Sequence, residues 1–240
     1  MRLDKLIEAE LKTSRKTLKR LFLTGQVRID GQRELQENRN VDSRLHKIEV
    51  AGRQLVTNDV YFLMNKPAGV VTANRDGEHQ TVVDLLNAAD RLAGIYAVGR
   101  LDRDTEGLLL LTNNGQLGFE LLHPSRKVSK TYEAVVNAKV TETDVAAFAK
   151  GIVFDGGEVC KPAELKPLCY DEKRGCSRVQ LTITEGKFHQ VKKMFLACGK
   201  KVIYLQRRNM GPLQLPKELQ TGSYRELSEA ELQKLKPYFR

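Results

Sequence analysis

Residues 96–115 read YAVGRLDRDTEGLLLLTNNG. An apolar run stops at Gly99, a polar cluster with two arginines (Arg100, Arg103) and three acids (Asp102, Asp104, Glu106) follows, and a second apolar run begins at Leu108. Four leucines in succession at 108–111 leave no polar face, so a strand there is buried on both sides. The cluster is then a loop between two buried strands. Leu101 is expected to plug the core, with Arg100 and Asp102 pointing outward. An aspartate in such a loop most often forms a turn or an ion pair, so the loop alone does not make Asp102 catalytic.

Working outward, VYFLMNKPAGVVTA (60–73) reads as strand, turn at 66–69, strand, and QTVVDLL (80–86) as a short helix capped at Thr81. GIYAVG (94–99) is the strand before the loop. Beyond it, NNGQLGFELLHP turns into a helix that stops at Pro124, KTYEAVV (130–136) alternates as a strand, and TETDVAAFAKG is a helix from Thr141 to a glycine stop at 151. SRVQLTITEG is a strand, KFHQVKKMFLACG a helix, KVIYLQRR a strand, and SEAELQKL a last helix with Ser228 and Glu231 in a capping box. Strands outnumber helices without regular alternation. The fold class is α+β: a mixed, mainly antiparallel sheet flanked by helices, behind a small N-terminal module.

That module spans 1–57, with the larger domain at 58–240. Leu3, Leu6, Ile7 and Leu11 fall at helical spacing. Ser14 then caps a second helix with Leu18, Leu21 and Phe22 on one face and Arg15, Lys16, Lys19 and Arg20 mostly on the other. Gly25 ends it, and QVRIDGQREL turns at Asp30 and Gly31 as a hairpin. The segment 51–60, poor in large apolar residues, reads as a linker.

Forty Lys and Arg against thirty Asp and Glu make the 240-residue chain +10. This favours a polyanionic partner. Half of that excess sits before residue 29, where eight basic residues face three acids. Cys160, Cys169, Cys176 and Cys198 have no metal or dithiol spacing, so free thiols are expected. With no apolar run approaching the length of a membrane span, a cytoplasmic protein is expected.

Three segments in order carry a family resemblance. GRLDRDTEGLLLLTNNG, KTYEAVV and EGKFHQVKKMF resemble the three motifs of the pseudouridine synthases, in the RsuA branch typified by the ribosomal small-subunit enzyme. The N-terminal order of helix, helix and hairpin resembles the αL-type RNA-binding module appended to several RNA-modifying enzymes. The resemblance therefore covers nearly the whole chain. It implies isomerisation of uridine to pseudouridine, a reaction that needs neither cofactor nor metal: the N1–C1′ bond breaks, the uracil turns, and C5 is joined to C1′.

By this resemblance Asp102 attacks the target nucleotide or takes the C2′ proton, Lys192 holds the carboxylate ionised and oriented, and Tyr132 stacks on the flipped uracil. A phenol of ordinary pKa is a poor base at neutral pH, which makes the stacking role of Tyr132 firmer than proton removal. Lys193 lies about 100° from Lys192 around a helix and is the weaker partner for Asp102. Arg100 enters the gap left by the flipped base. Arg15, Lys16, Lys19 and Arg20 face RNA phosphates, and Arg126, Lys127, Lys130, Arg207 and Arg208 are backbone contacts by charge. His189 and Gln190 support the turn of the third motif, and NKPAG shapes the cleft rim. The expected partner is ribosomal RNA, or a partly assembled small subunit, bound by a monomer away from any membrane. HQVKKMF and the NKPAG region look closer to the small-subunit enzymes. The same chemistry on large-subunit RNA is the alternative, and a non-enzymatic ribosome assembly factor is the alternative of another class.

Overall fold

The computed structural model describes residues 1–239, which form two β-sheets, each packed on its own apolar residues. Helices α1 (Leu3–Leu11) and α2 (Arg15–Leu23) come first. The Ser14 hydroxyl accepts the Thr17 N–H at 3.3 Å, and Gly25 leaves α2 at φ +70°. Strands β1 (Val27–Ile29), β2 (Gln32–Arg33), β3 (Ile48–Val50) and β4 (Arg53–Leu55) form an antiparallel sheet in the order β2-β1-β3-β4. Leu3, Ile7, Leu18, Val27, Ile48 and Val50 are sealed between the two helices and this sheet. The linker expected at 51–60 is therefore in part a strand: residues 51–52 turn, and β4 pairs with β3. Only Leu55 of β4 is buried, so an edge strand this short has almost no apolar signal.

The larger sheet has nine strands: β5 (Tyr61–Lys66), β6 (Tyr96–Ala97), β7 (Glu106–Thr112), β8 (Lys130–Val136), β9 (Glu164–Asp171), β10 (Cys176–Ile183), β11 (Val202–Met210), β12 (Leu213–Gln214) and β13 (Tyr224–Glu226). Its order is β13-β5-β7-β11-β8-β10-β9, with β12 on β11 and β6 on β7. Only the central β7 and β11 run parallel among the described strands, as a mixed, mainly antiparallel sheet requires.

Helices α3 (Gly115–Leu122) and α6 (Glu229–Leu235) cover one face of this sheet; α4 (Glu142–Lys150) and α5 (Gln190–Ala197) cover the other. The leucine run follows: Leu108 and Leu110 pack with Leu117, Leu121 and Leu235, while Leu109 and Leu111 pack with Phe148, Met194 and Phe195. Gly107 makes the central pairing possible. Its φ is +105°, and a Cβ there would lie 2.3 Å from the Arg207 carbonyl oxygen.

Local departures have local causes. Residues 81–86 form turns rather than a helix, because the Asp84 carboxylate accepts both the Thr81 N–H and hydroxyl at 2.8 Å and closes the segment on itself. After the 66–69 turn the chain makes only one bridge, Val71 to Thr81, instead of a second strand. Of 94–99, Tyr96–Ala97 alone is a strand, and both residues are half-buried. The long strand β9, paired with β10, carries one buried residue in eight and so escaped the pattern reading.

The two sheets are joined by specific contacts. Leu45 packs with Leu232, Leu235 and Phe239, the Lys236 ammonium donates to the Leu45 carbonyl at 3.0 Å, and the Tyr61 hydroxyl donates to the buried Asp42 carboxylate at 2.8 Å.

Candidate active site

Asp102 leaves the core beside two anchors. Leu101 is buried, and the Thr72 hydroxyl both accepts from its N–H at 3.2 Å and donates to its carbonyl at 2.8 Å. On the other side, the fully buried Lys66 ammonium donates to the carbonyls of Pro67 (2.8 Å), Thr105 (2.9 Å) and Arg103 (3.3 Å). The NKPAG segment and the Asp102 loop are thereby laced together, and Gly69 N–H to Arg103 carbonyl (2.8 Å) adds a further rung. Burial pushes the Lys66 ammonium down to about 8, against the pull of Asp104, Glu106 and Asp102.

The opposite wall is α5 and the turn before it. The Lys192 ammonium lies 3.0 Å from Asp102 Oδ2 and 2.5 Å from Asp104 Oδ1, and His189 Nε2 lies 3.5 Å from Asp102 Oδ1. His189 is the N-cap of α5 and Lys192 lies in its first turn, so both reach the Asp102 carboxylate. Lys193, the neighbour, instead lies over the Phe154 and Phe188 rings at 5.7 and 5.2 Å. Burial works against the Lys192 charge, but its bonds to Asp104 and Asp102 prevail and hold its pKa above the ordinary lysine value. Asp104 responds in kind: burial raises it, and the Lys192 bond and charge bring it below the usual carboxylate range. Ala68, Gly69, Asp102, Arg103, Asp104, His189 and Lys192 line a cleft of about 420 Å³.

The structure brings Asp102 and Lys192 together, and of NKPAG it puts Ala68 and Gly69 on the cleft wall. Gln190 does support the turn, its carboxamide oxygen accepting the Lys187 N–H at 2.9 Å. His189 does more than that. Sequence reading missed its approach to Asp102, the carboxylate of Asp104 and the anchor Lys66; the spacing of His189 and Lys192 was the available signal.

Tyr132 is 7% exposed and belongs to the buried cluster that contains Leu101, rather than to the residues lining the cleft. Arg100 is exposed and has no side-chain partner among the described residues, and Lys127 is likewise exposed. Arg126 grips Glu120, at 2.7 Å from Nε to Oε2.

Two proposed RNA contacts are corrected. Lys130 is buried, its ammonium bonded to the Val128 carbonyl, and burial lowers its pKa. Arg207 is 1% exposed and donates from Nε to the Leu108 carbonyl at 2.8 Å. Arg207 reaches from β11 to β7, and both cations lie in the interior, which charge counting does not register. On α2, Arg15 is engaged by Glu37 at 2.9 Å and by Asp4 and Glu8 at 3.7 Å, whereas Lys16, Lys19 and Arg20 are exposed with no carboxylate partner among the described residues.

The family model for RNA pseudouridylate synthase matches residues 60–197, the stretch that holds this cleft. The chain belongs to the RNA pseudouridylate synthase family. It is 42% identical to the uncharacterized RNA pseudouridine synthase YtzG of Bacillus subtilis, over 97% of both chains. It is 37% identical to ribosomal small subunit pseudouridine synthase A of Vibrio cholerae, over 97% of this chain and 98% of that one. The identity is also 37% with ribosomal large subunit pseudouridine synthase B of Bacillus subtilis, over 98% of this chain and 95% of that one. A crystal structure of a pseudouridylate synthase superposes with a TM-score of 0.68 at 34% identity, covering 98% of this chain and 99% of that one.

Proposed function

We propose that this chain converts one uridine of small-subunit ribosomal RNA to pseudouridine, with Asp102 as the nucleophile. The observation that carries the reading is the Asp102 carboxylate held 3.0 Å from the Lys192 ammonium in an open cleft. A carboxylate suits either route, attack on the nucleotide or removal of the C2′ proton, and the charge-assisted contact with Lys192 orients it. As the N1–C1′ bond breaks, negative charge moves to the uracil. Lys192, already shared with Asp104, can follow that charge without leaving its place. Tyr132 supports the uracil by stacking once the RNA strand opens the cleft. Arg100, exposed beside Asp102, fills the space left by the flipped base.

Residues 1–57 form the RNA-binding module in this reading, with Lys16, Lys19 and Arg20 on phosphates and Arg15 holding α2 to its acidic neighbours. The protein acts as a monomer in the cytoplasm, on free ribosomal RNA or a partly assembled small subunit. The small-subunit relatives named synthase A support this substrate. Large-subunit RNA is the second reading, favoured by the equal identity to synthase B.

Asp102→Asn, close to isosteric, should abolish pseudouridine formation in vitro and leave RNA affinity within a few-fold. Modification at the parental rate would remove Asp102 from this role. Chemical mapping of pseudouridines in ribosomal RNA from a strain lacking the protein decides the substrate: a site lost from large-subunit RNA selects the second reading.

A further inference from the structure

Phe188 sits at the lip of the catalytic cleft and is 74% exposed. Isolated exposed apolar side chains are ordinary on protein surfaces. Three features set this one apart. Its ring is stacked on His189, with centroids 3.8 Å apart and planes 21° from parallel. His189 in turn places Nε2 3.5 Å from Asp102, so the outer aromatic surface continues directly from the nucleophile. The Lys193 ammonium lies over the Phe188 ring, 5.2 Å from its centroid, a cation that a stacking base would displace from the ring toward the adjoining phosphate.

The backbone holds this arrangement in place. His189 has φ +52°, a left-handed conformation that non-glycine residues adopt at a cost. The bend is closed by Gln190, whose carboxamide accepts the Lys187 N–H and donates to Glu185 at 2.8 Å. Phe188 is thus carried on a braced turn rather than a loose loop. It leaves open the largest share of surface of any phenylalanine among the described residues.

We propose that Phe188 is the stacking platform for an unpaired RNA base adjacent to the flipped uridine, with Lys193 on the neighbouring phosphate. This rests on the reading of the cleft as a pseudouridine-forming site. Flipping a nucleotide removes a stacking surface from each neighbour, and an aromatic face beside the nucleophile replaces one of them. Such stacking tolerates any base, so the contact adds affinity and register while leaving the choice of nucleotide to other groups. Charge complementarity points the same way: the cleft wall next to the ring carries Lys192, Lys193 lies over the ring itself, and the chain as a whole is +10.

The chain contains no tryptophan, which allows a direct optical test. Phe188→Trp introduces the sole indole, and its emission should fall when a ribosomal RNA transcript that the parent modifies is added. Tyr170→Trp, on the far edge strand β9, serves as the control and should change little. Phe188→Ala should weaken binding of the transcript by roughly 5- to 100-fold, and Phe188→Trp should retain it. Placing an abasic site at the neighbouring nucleotide should remove the penalty of Phe188→Ala, because the stacked pair is then already lost.

Parental affinity for Phe188→Ala, or an indole that stays bright at saturation, overturns the proposal. So does an undiminished penalty on abasic RNA at either neighbour, which would mean that the ring acts only by bracing His189. A parent protein that binds the transcript and forms no pseudouridine overturns the reading of the site instead, and the affinities still decide the stacking.

Discussion

Lys66→Met tests whether the buried ammonium organises the loop that carries Asp102. Methionine keeps most of the stem and removes the donor. Three carbonyl contacts are lost; the Arg103 carbonyl keeps its bond from the Gly69 N–H, so those of Pro67 and Thr105 are the two left without this donor. Each buried acceptor left unsatisfied costs about 1–3 kcal/mol, or about 2–6 kcal/mol for the two. Part of that is returned, because the variant no longer buries a charge whose desolvation pulls the Lys66 pKa down to about 8. A net loss of about 2–4 kcal/mol follows. For a chain of this size it lowers the melting temperature by roughly 5–15 °C. Because the same carbonyls belong to the loop carrying Asp102, turnover should fall at temperatures where the variant is still folded. Thermal unfolding followed by circular dichroism, with release of tritium from C5-labelled uridine in RNA, measures both. A melting point within 2 °C of the parent together with parental turnover would refute the lacing argument.

Two other outcomes test electrostatics at a distance from the cleft. Replacing Lys16, Lys19 and Arg20 with Gln should weaken RNA binding and reduce the slope of log affinity against log salt by about 2–3, since each phosphate contact contributes about 0.7–0.9; a filter-binding series with an unchanged slope would show that α2 does not face RNA. Glu231 is held at about 2, below its ordinary value, chiefly by the paired bonds from Arg225 at 2.7 and 2.8 Å, which outweigh burial. A depressed carboxylate stabilises the fold above its unfolded pKa and loses that contribution as pH falls toward its folded one. The parent should therefore exceed Glu231→Gln in stability by about 1–2 kcal/mol at neutral pH, with the gap closing between about pH 4.5 and 2 in urea titrations.

The legible parts of the chain were those with local causes. The capping boxes at Thr141 and Ser228, the turn at Asp30 and Gly31, and the two-sided burial of the leucine run are set by neighbours a few residues away, and all appear in the structure. The ordered motifs placed Asp102 and Lys192 together, which the 3.0 Å contact bears out. Thr81 misled because a carboxylate three residues on caps a turn as well as a helix.

Position 130 shows the limit. Lys130 looks like any basic residue near a strand end, yet on β8, between β10 and β11, it is buried with its ammonium on the Val128 carbonyl. Lys66 is the converse, a lysine in a polar turn whose three acceptors come from two segments about forty residues apart. Sequence alone determined the two-sided burial of the leucine run, the helix starts at Ser14, Thr141 and Ser228, and the family. Tertiary structure decided which cations stay in water, which one is shared between Asp102 and Asp104, and which aromatic ring stays open. The physical reason is range: caps and periodicity act over a few residues, whereas the exposure and pairing of a charge depend on whatever distant segment the fold lays against it.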